Sequence, residues 1–381
     1  MLSSSRGGAI YLDNAATTFP KPRCVMESVR ECVREYAANP GRSVHTLALR
    51  ASERIYEARE ELASYLGVGS PEKIIFTSNA THALNLAILG ALNHKCHVIT
   101  SDLEHNSVLR PLNEVNAKYG VEYSSFDSDG DIEIGIGDLI RPDTEFLITT
   151  LESNVTGKII PPEKIARAAR KYRLKTIVDA SQYLGHRRSD FGKLGFDIIC
   201  APGHKGLFGL QGSGICVLNG DLLPYPLMYG GSGSNSLDPE MPDYIPDRYE
   251  AGTLNTPGVV SMLAGVKYLT RLGEEYINHR LGMLTDRLFD ILTSCGVRIY
   301  GCENGIASFG FDGVGSSRIS AYLNDDGIAT RSGLHCAPSV HKKLGTIESG
   351  LVRVSLSILN TKEDLDALYK SLRRIKKEYI A

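Results

Sequence analysis

The stretch Thr176-Ile177-Val178-Asp179-Ala180-Ser181-Gln182, read with Gly203-His204-Lys205-Gly206 further along, decides the fold. The apolar pair Ile177-Val178 ends in a carboxylate at Asp179. A second apolar run, Ile198-Ile199-Cys200-Ala201, ends in a turn carrying Gly203, His204 and Lys205. Two strands that each deliver a charge to the C-terminal edge of a parallel sheet are how open α/β folds build a site. An acid and a lysine delivered this way suit pyridoxal phosphate, which needs a lysine amine for its aldehyde and an acid at its pyridinium nitrogen. Each residue also has a plainer reading. A strand-end Asp serves as a helix cap, and Gly-His-Lys serves as a surface turn.

Upstream of this pair, apolar spacing predicts helices over 22–36 and 47–66, the second stopped by Gly67. Ile74-Ile75-Phe76-Thr77 reads as a strand, and Ser78-Asn79-Ala80-Thr81-His82 then opens an apolar helix. Strand, polar turn and helix N-terminus make a phosphate seat, because free N–H groups and the helix dipole both point at the ligand. The same residue types also serve as an ordinary N-cap. His97-Val98-Ile99-Thr100 is a further strand, with His105 just past its end. A His there is structural, or it stacks on a ring or moves a proton. Phe146 to Thr150 is a strand leading to Asn154, and strands alternating with helices predict a parallel sheet covered on both faces.

Downstream, the glycine run from Gly206 to Gly214 lacks the order of a nucleotide P-loop. The long stretch from Pro224 to Pro257 reads as a loop with a domain boundary near its end. Residues 327–338 read as a strand running into a glycine-broken loop that carries Arg331, His335 and Cys336. Leu351 to Leu356 is expected to alternate, with Arg353 on the interrupted face. Thr361 and Asp364 are spaced as a capping box for the last helix.

Composition narrows the class. The 381 residues are 42% hydrophobic and 23% charged with a net charge of -2, so no basic field advertises nucleic acid or an anionic membrane. Eight scattered cysteines include no C-x-x-C pair, which leaves zinc and thioredoxin-type readings without support and points to a reducing, cytoplasmic compartment. No window is long enough for a membrane span, and Met1-Leu2-Ser3-Ser4-Ser5-Arg6 lacks the apolar core of a leader. No metal site is expected.

With these residues in view, the chain resembles the class V aminotransferase group of fold-type I pyridoxal phosphate enzymes, and within it the group II (SUF-type) cysteine desulfurases and selenocysteine lyases. The resemblance runs from Tyr11-Leu12-Asp13-Asn14-Ala15-Ala16 through Glu104-His105-Asn106, Val178-Asp179-Ala180-Ser181-Gln182, Gly203-His204-Lys205 and Glu250-Ala251-Gly252-Thr253 to Arg331-Ser332-Gly333-Leu334-His335-Cys336-Ala337 and Arg353. It implies an α/β fold: a large domain over 21–255 with a mostly parallel seven-stranded sheet, and a smaller α+β domain over 256–381. An N-terminal arm, 1–20, would pack with the smaller domain.

The resemblance also implies roles. Lys205 holds the cofactor and moves protons, Asp179 meets the pyridine nitrogen, Gln182 bonds the ring hydroxyl, and His105 stacks on the ring. Thr81, the backbone at Ala80, and His204 take the phosphate. Thr253 reaches the cofactor of a partner subunit, which implies a homodimer with shared sites. Arg353 clamps the substrate carboxylate, with Asn14 and Asn154 nearby. Cys336 carries sulfur away as a persulfide, with Arg331 and His335 as helpers. The implied activity is L-cysteine to L-alanine, feeding a sulfur acceptor such as an iron–sulfur scaffold. Selenocysteine lyase, another C–S lyase or an aminotransferase are alternatives, as is a cofactor-binding regulator. The chain departs from the pattern at Pro202, where many relatives carry Ser, and also at Leu334, Ala80 and His82.

Overall fold

The computed structural model describes residues 9–41, 44–234 and 237–380. Met1 to Arg6, read as carrying no leader, lie outside them. The chain divides into two compact units. The smaller comprises Met1–Pro20, Glu152–Ile159 and Glu275–Ala381, and the larger Lys21–Leu151 and Ile160–Glu274. The boundary expected near residue 255 therefore falls inside the larger unit. The reason is α8 (Thr256–Leu272), which buries Val259, Val260, Met262, Val266 and Leu269 and packs against α1 (Arg23–Glu35) and α2 (Thr46–Leu66).

In the smaller unit the N-terminal arm forms β1 (Ile10–Tyr11). The larger unit is built on seven strands: β2 (Ile74–Thr77), β3 (His97–Ser101), β4 (Glu122–Phe126), β5 (Thr144–Thr150), β6 (Lys175–Asp179), β7 (Ile198–Pro202) and β8 (Gly214–Leu218). Their spatial order is β2-β8-β7-β6-β5-β3-β4. Only β8 runs against its neighbours, being antiparallel to both β7 and β2. The C-terminal ends of β2, β3, β5, β6 and β7 therefore share one edge. Strands β2, β3, β7 and β8 are buried along their whole length, as sheets covered on both faces require. Each fully buried Ile, Leu, Val or Phe contributes about 1.5–3 kcal/mol.

Helix boundaries follow local chemistry. α2 stops at Gly67, whose φ of 70° is left-handed. α3 (Ala80–Ala91) starts at Asn79, whose side chain accepts from the His82 N–H at 2.8 Å. α4 (Asn106–Tyr119) starts at His105. α5 (Ile132–Asp138) was not expected. Asp131 caps it by accepting from Glu133 N and Ile134 N at 3.0 and 3.1 Å, but two glycines in seven residues hide the helical period. α6 (Pro162–Tyr172) and the short α7 (Phe191–Leu194) complete the larger unit with α8.

In the smaller unit α9 (Glu274–Cys295) leads into β9 (Arg298–Glu303), β10 (Ile306–Gly310), α10 (Ser316–Asp325), β11 (Ile328–Ala329), β12 (Arg331–Gly333), α11 (Pro338–Leu344), β13 (Leu351–Ser355) and α12 (Lys362–Ile375). Four strands form an antiparallel sheet in the order β12-β13-β10-β9, and β1 pairs with β11 in parallel. Residues 152–159 belong here because Ser308 donates to the Val155 carbonyl at 2.6 Å and Gly301 leaves room for Thr156. The capping box of α12 is formed as expected. One expectation is corrected. Strand β13 does not alternate: all five residues are buried, Arg353 among them. Where the loop carrying Cys336 ends, α11 begins, with Pro338 in its first turn and Gly345 as its stop.

Candidate active site

The register of β6 on β7 sets Asp179 opposite Cys200, so the turn holding Lys205 begins beside the strand that ends in Asp179. Two glycine contacts pin that turn. Gly185, in the turn after β6, and Gly206 pack backbone to backbone, and a Cβ on either would overlap the other segment. A Cβ on Gly203 would overlap Met262 and Ser213. Asp179 is buried and accepts from Ser181 N at 2.9 Å. Burial pushes its carboxyl up from the usual aspartate range, while the Ser181 hydrogen bonds and the Lys205 charge pull it down. Gln182, one turn on, is also buried.

Positive charge gathers around the same turn. Lys21 Nζ donates to the His204 carbonyl at 2.7 Å. Burial lowers the Lys21 amine to about 8. Burial first, then the Lys205 and Lys21 charges, lowers His204 to about 4, so its ring is neutral at physiological pH. His105 Nδ1 accepts from Ser107 N at 3.1 Å, which leaves the proton on Nε2. Thr81 Oγ1 and Ser107 Oγ lie 2.8 Å apart, joining the first turns of α3 and α4.

Behind this edge sits Glu104, fully buried at the end of β3. It accepts from Ser101 N at 3.2 Å and from Thr150 N at 3.0 Å, tying β3 to β5. Burial raises its carboxyl to about 7, opposed by the Ser101 and Thr150 hydrogen bonds and reinforced by Asp179. A carboxyl raised on folding stabilises fully below its ordinary value of 4.5 and loses that contribution as pH climbs through about 7. Glu104→Gln should therefore gain about 3 kcal/mol on the wild type between pH 4.5 and pH 8. Urea denaturation of both proteins across that range checks this, and a difference flat in pH would refute it.

Thr253 is exposed in the wall of a cavity of about 320 Å³ that Ser78 and His82 also line. Its segment is anchored at Glu250, which accepts from Arg59 at 2.5 Å and from Phe76 N at 2.6 Å.

The smaller unit carries the remaining candidates. Arg353 is 1% exposed. It donates to Asp13 Oδ1 at 2.7 Å and to the Asn154 carbonyl at 2.9 Å, and its Nε has no hydrogen-bond partner among the described residues. The Asp13 pairing spans 340 positions, and nothing local to either residue announces it. Asn154 Nδ2 donates to the His335 carbonyl at 2.7 Å. Asn14, expected near the substrate carboxylate, is buried. Its amide donates to the Ser355 carbonyl at 2.9 Å and to Asn360 Oδ1 at 3.1 Å, and its Oδ1 accepts from Phe19 N, so it ties down the arm. Of the eight cysteines, only Cys336 is exposed. Arg331 donates to its Sγ at 3.8 Å. His335 does not serve the thiol directly. It is buried, with its ring nitrogens 3.4 Å from His341 Nε2 and from the Arg331 carbonyl.

The family described as aminotransferase class-V matches residues 10–368. The chain belongs to this family. The chain is 33% identical to the "probable cysteine desulfurase" of Methanothermobacter thermautotrophicus, over 96% of its length and 94% of that protein. The cysteine desulfurase of Haloferax volcanii is 30% identical, over 95% of this chain and 88% of that protein. A solved structure of the cysteine desulfurase from Thermococcus onnurineus matches with a TM-score of 0.90 at 30% identity, covering 97% of this chain and 95% of that one. Enzymes of this class-V group use pyridoxal phosphate.

The larger unit fits that cofactor. A buried carboxyl within reach of a lysine charge suits a protonated pyridine nitrogen. The Thr81 hydroxyl at the start of a twelve-residue helix suits a phosphate. Pro202, where many relatives carry Ser, is buried as the last residue of β7 and offers no hydroxyl there.

Proposed function

We propose that the chain is a pyridoxal phosphate-dependent cysteine desulfurase that converts L-cysteine to L-alanine and carries the sulfur as a persulfide on Cys336. One observation carries this assignment beyond the family: the single exposed cysteine sits under an arginine, in the same unit as a buried, incompletely paired Arg353.

Lys205 would hold the cofactor through Nζ, with Asp179 at the ring nitrogen, Gln182 at the ring hydroxyl and His105 against the ring face. Thr81, the Ala80 backbone and His204 would take the phosphate, with His204 donating its one ring N–H. The cofactor, when bound, withdraws electrons from the substrate Cα. Lys205 Nζ, once freed, accepts the Cα proton. Arg353 binds the substrate carboxylate through Nε–H and a neighbouring N–H, a fork that only arginine presents. Asp13 and the Asn154 carbonyl hold that fork in place. The Cys336 thiolate attacks the substrate sulfur. The S–S bond forms as the Cβ–S bond breaks, and the bonding pair passes to the substrate. Cysteine plus thiol thus becomes alanine plus persulfide, with atoms balanced.

Further parts of the proposal are a homodimer, a sulfur-accepting thiol or iron–sulfur scaffold, and a cytoplasmic site. Exposed Leu223, Tyr225, Leu227, Met228 and Tyr229, of which Met228 lines the same cavity as Thr253, support the dimer. All eight cysteines are free, in keeping with a reducing compartment. Among the described residues, no helix is long and apolar enough to cross a membrane.

The test is alanine and sulfide formation from cysteine by the cofactor-loaded protein. No alanine, and no spectral change on adding cysteine, would end the proposal. Arg353→Lys should raise KM for cysteine about tenfold to hundredfold, because an ammonium is a point charge and cannot form the fork. Steady-state kinetics check it, and an unchanged KM removes Arg353 from substrate binding.

A further inference from the structure

The backbone at the reactive cysteine is unusual. His335 and Cys336 are consecutive non-glycine residues with left-handed φ values of 51° and 58°. Such conformations persist only where their surroundings over-determine them. The surroundings here are specific. The His335 ring is buried and stacks on the His341 ring, with centroids 5.5 Å apart and planes inclined by 24°. The His335 carbonyl is held by Asn154.

The hydrogen bonds through these rings have one direction. The Arg331 carbonyl only accepts, so His335 Nε2, 3.4 Å away, must carry the proton. Burial first, then the Arg353 charge, lowers His335 to about 3, so the ring is neutral and its Nδ1 is an acceptor. His341 Nε2–H is then the donor to Nδ1 at 3.4 Å. Burial likewise lowers His341, leaving its Nδ1 to accept from the Thr346 hydroxyl at 2.8 Å. The chain of donors runs from Thr346 through His341 and His335 to the Arg331 backbone. It ends on the residue whose guanidinium lies on Cys336 Sγ. The 3.4 Å links are long, so the stacked and buried rings must share the work of alignment.

We propose that His341 is a positioning residue for Cys336, acting through His335 to keep the Arg331 guanidinium beside the thiol sulfur. Nothing in the sequence near Cys336 singles it out, and its ring hydrogen-bonds to His335 and Thr346, not to the sulfur or Arg353. The inference deepens the desulfurase proposal, since it concerns the thiol which that proposal makes the sulfur carrier. The charged and titratable groups bearing on the cluster are Arg331 on β12, Arg353 on β13, Asp13 beyond β1, and His341 on α11.

The test is alkylation of Cys336 by iodoacetamide across pH, read by peptide mass on the full chain. It needs neither cofactor nor substrate, so it stands or falls apart from the desulfurase activity. His341→Leu should slow alkylation at pH 7 about tenfold, the size of one lost charge-assisted contact to the sulfur. His341→Gln, whose amide N–H can replace Nε2–H, should stay near the wild type. Coincident profiles for His341→Leu and wild type would overturn the proposal, as would a Gln variant no better than Leu. If His341→Leu does not fold, Thr346→Val removes the hydroxyl that orients His341, and a wild-type profile in that variant overturns it equally.

Discussion

Lys205→Ala should abolish turnover and leave the purified protein without the visible absorption of lysine-bound pyridoxal. A single acid–base group is worth about 10²–10⁴-fold. Nζ of Lys205 is assigned two tasks, attachment and proton transfer, so the loss should exceed about 10⁴-fold. The electrostatic consequence is separable. Lys205 is one of the influences holding down the Asp179 carboxyl against burial, and alanine removes it. Lys205→Arg restores the positive charge beside Asp179 without restoring a nucleophilic amine. If arginine recovers turnover, charge and not attachment is what Lys205 supplies. Alanine-variant turnover at the wild-type rate would take Lys205 out of the chemistry altogether. Absorption spectra and alanine release on both variants decide between these outcomes.

The second large effect is expected at Cys336. Cys336→Ala should lower alanine and sulfide formation from cysteine by about 10³-fold or more, because no other side chain replaces an activated thiolate as nucleophile. Cofactor absorption, and the spectral change on adding cysteine, should persist, since every residue assigned to the cofactor is intact. Selenocysteine separates the readings further. Its selenium leaves more readily than sulfur, so a lyase acting on it should depend less on the loop thiol. Equal loss with both substrates supports obligatory persulfide transfer, whereas loss with cysteine alone favours the selenocysteine alternative. Full turnover of cysteine by the variant would remove Cys336 from the mechanism.

Much of the larger unit was legible because its signals are local. Apolar runs marked β2, β3, β5, β6 and β7, Gly67 marked the end of α2, and Thr361 with Asp364 marked the start of α12. Each depends on contacts within a turn or two of the chain. Asp179 and Lys205 were found together because parallel strands deliver their C-terminal ends to one edge. α5 and α11 were missed because glycines break the first and the second is only seven residues long. The domain boundary was misplaced because α8 follows a loop typical of a linker yet buries its apolar face against α1 and α2.

By itself, then, the sequence determined the succession of strands and helices, the lysine and acid at the sheet edge, and a cysteine in an exposed loop. Tertiary structure alone decided that Arg353 is buried against Asp13, that Asn14 is spent on anchoring the arm, and that His341 lies under the cysteine loop. The division has a physical cause. Periodicity and capping are written in neighbouring residues, whereas pairing between Asp13 and Arg353 spans 340 positions and exists only once packing has buried the guanidinium.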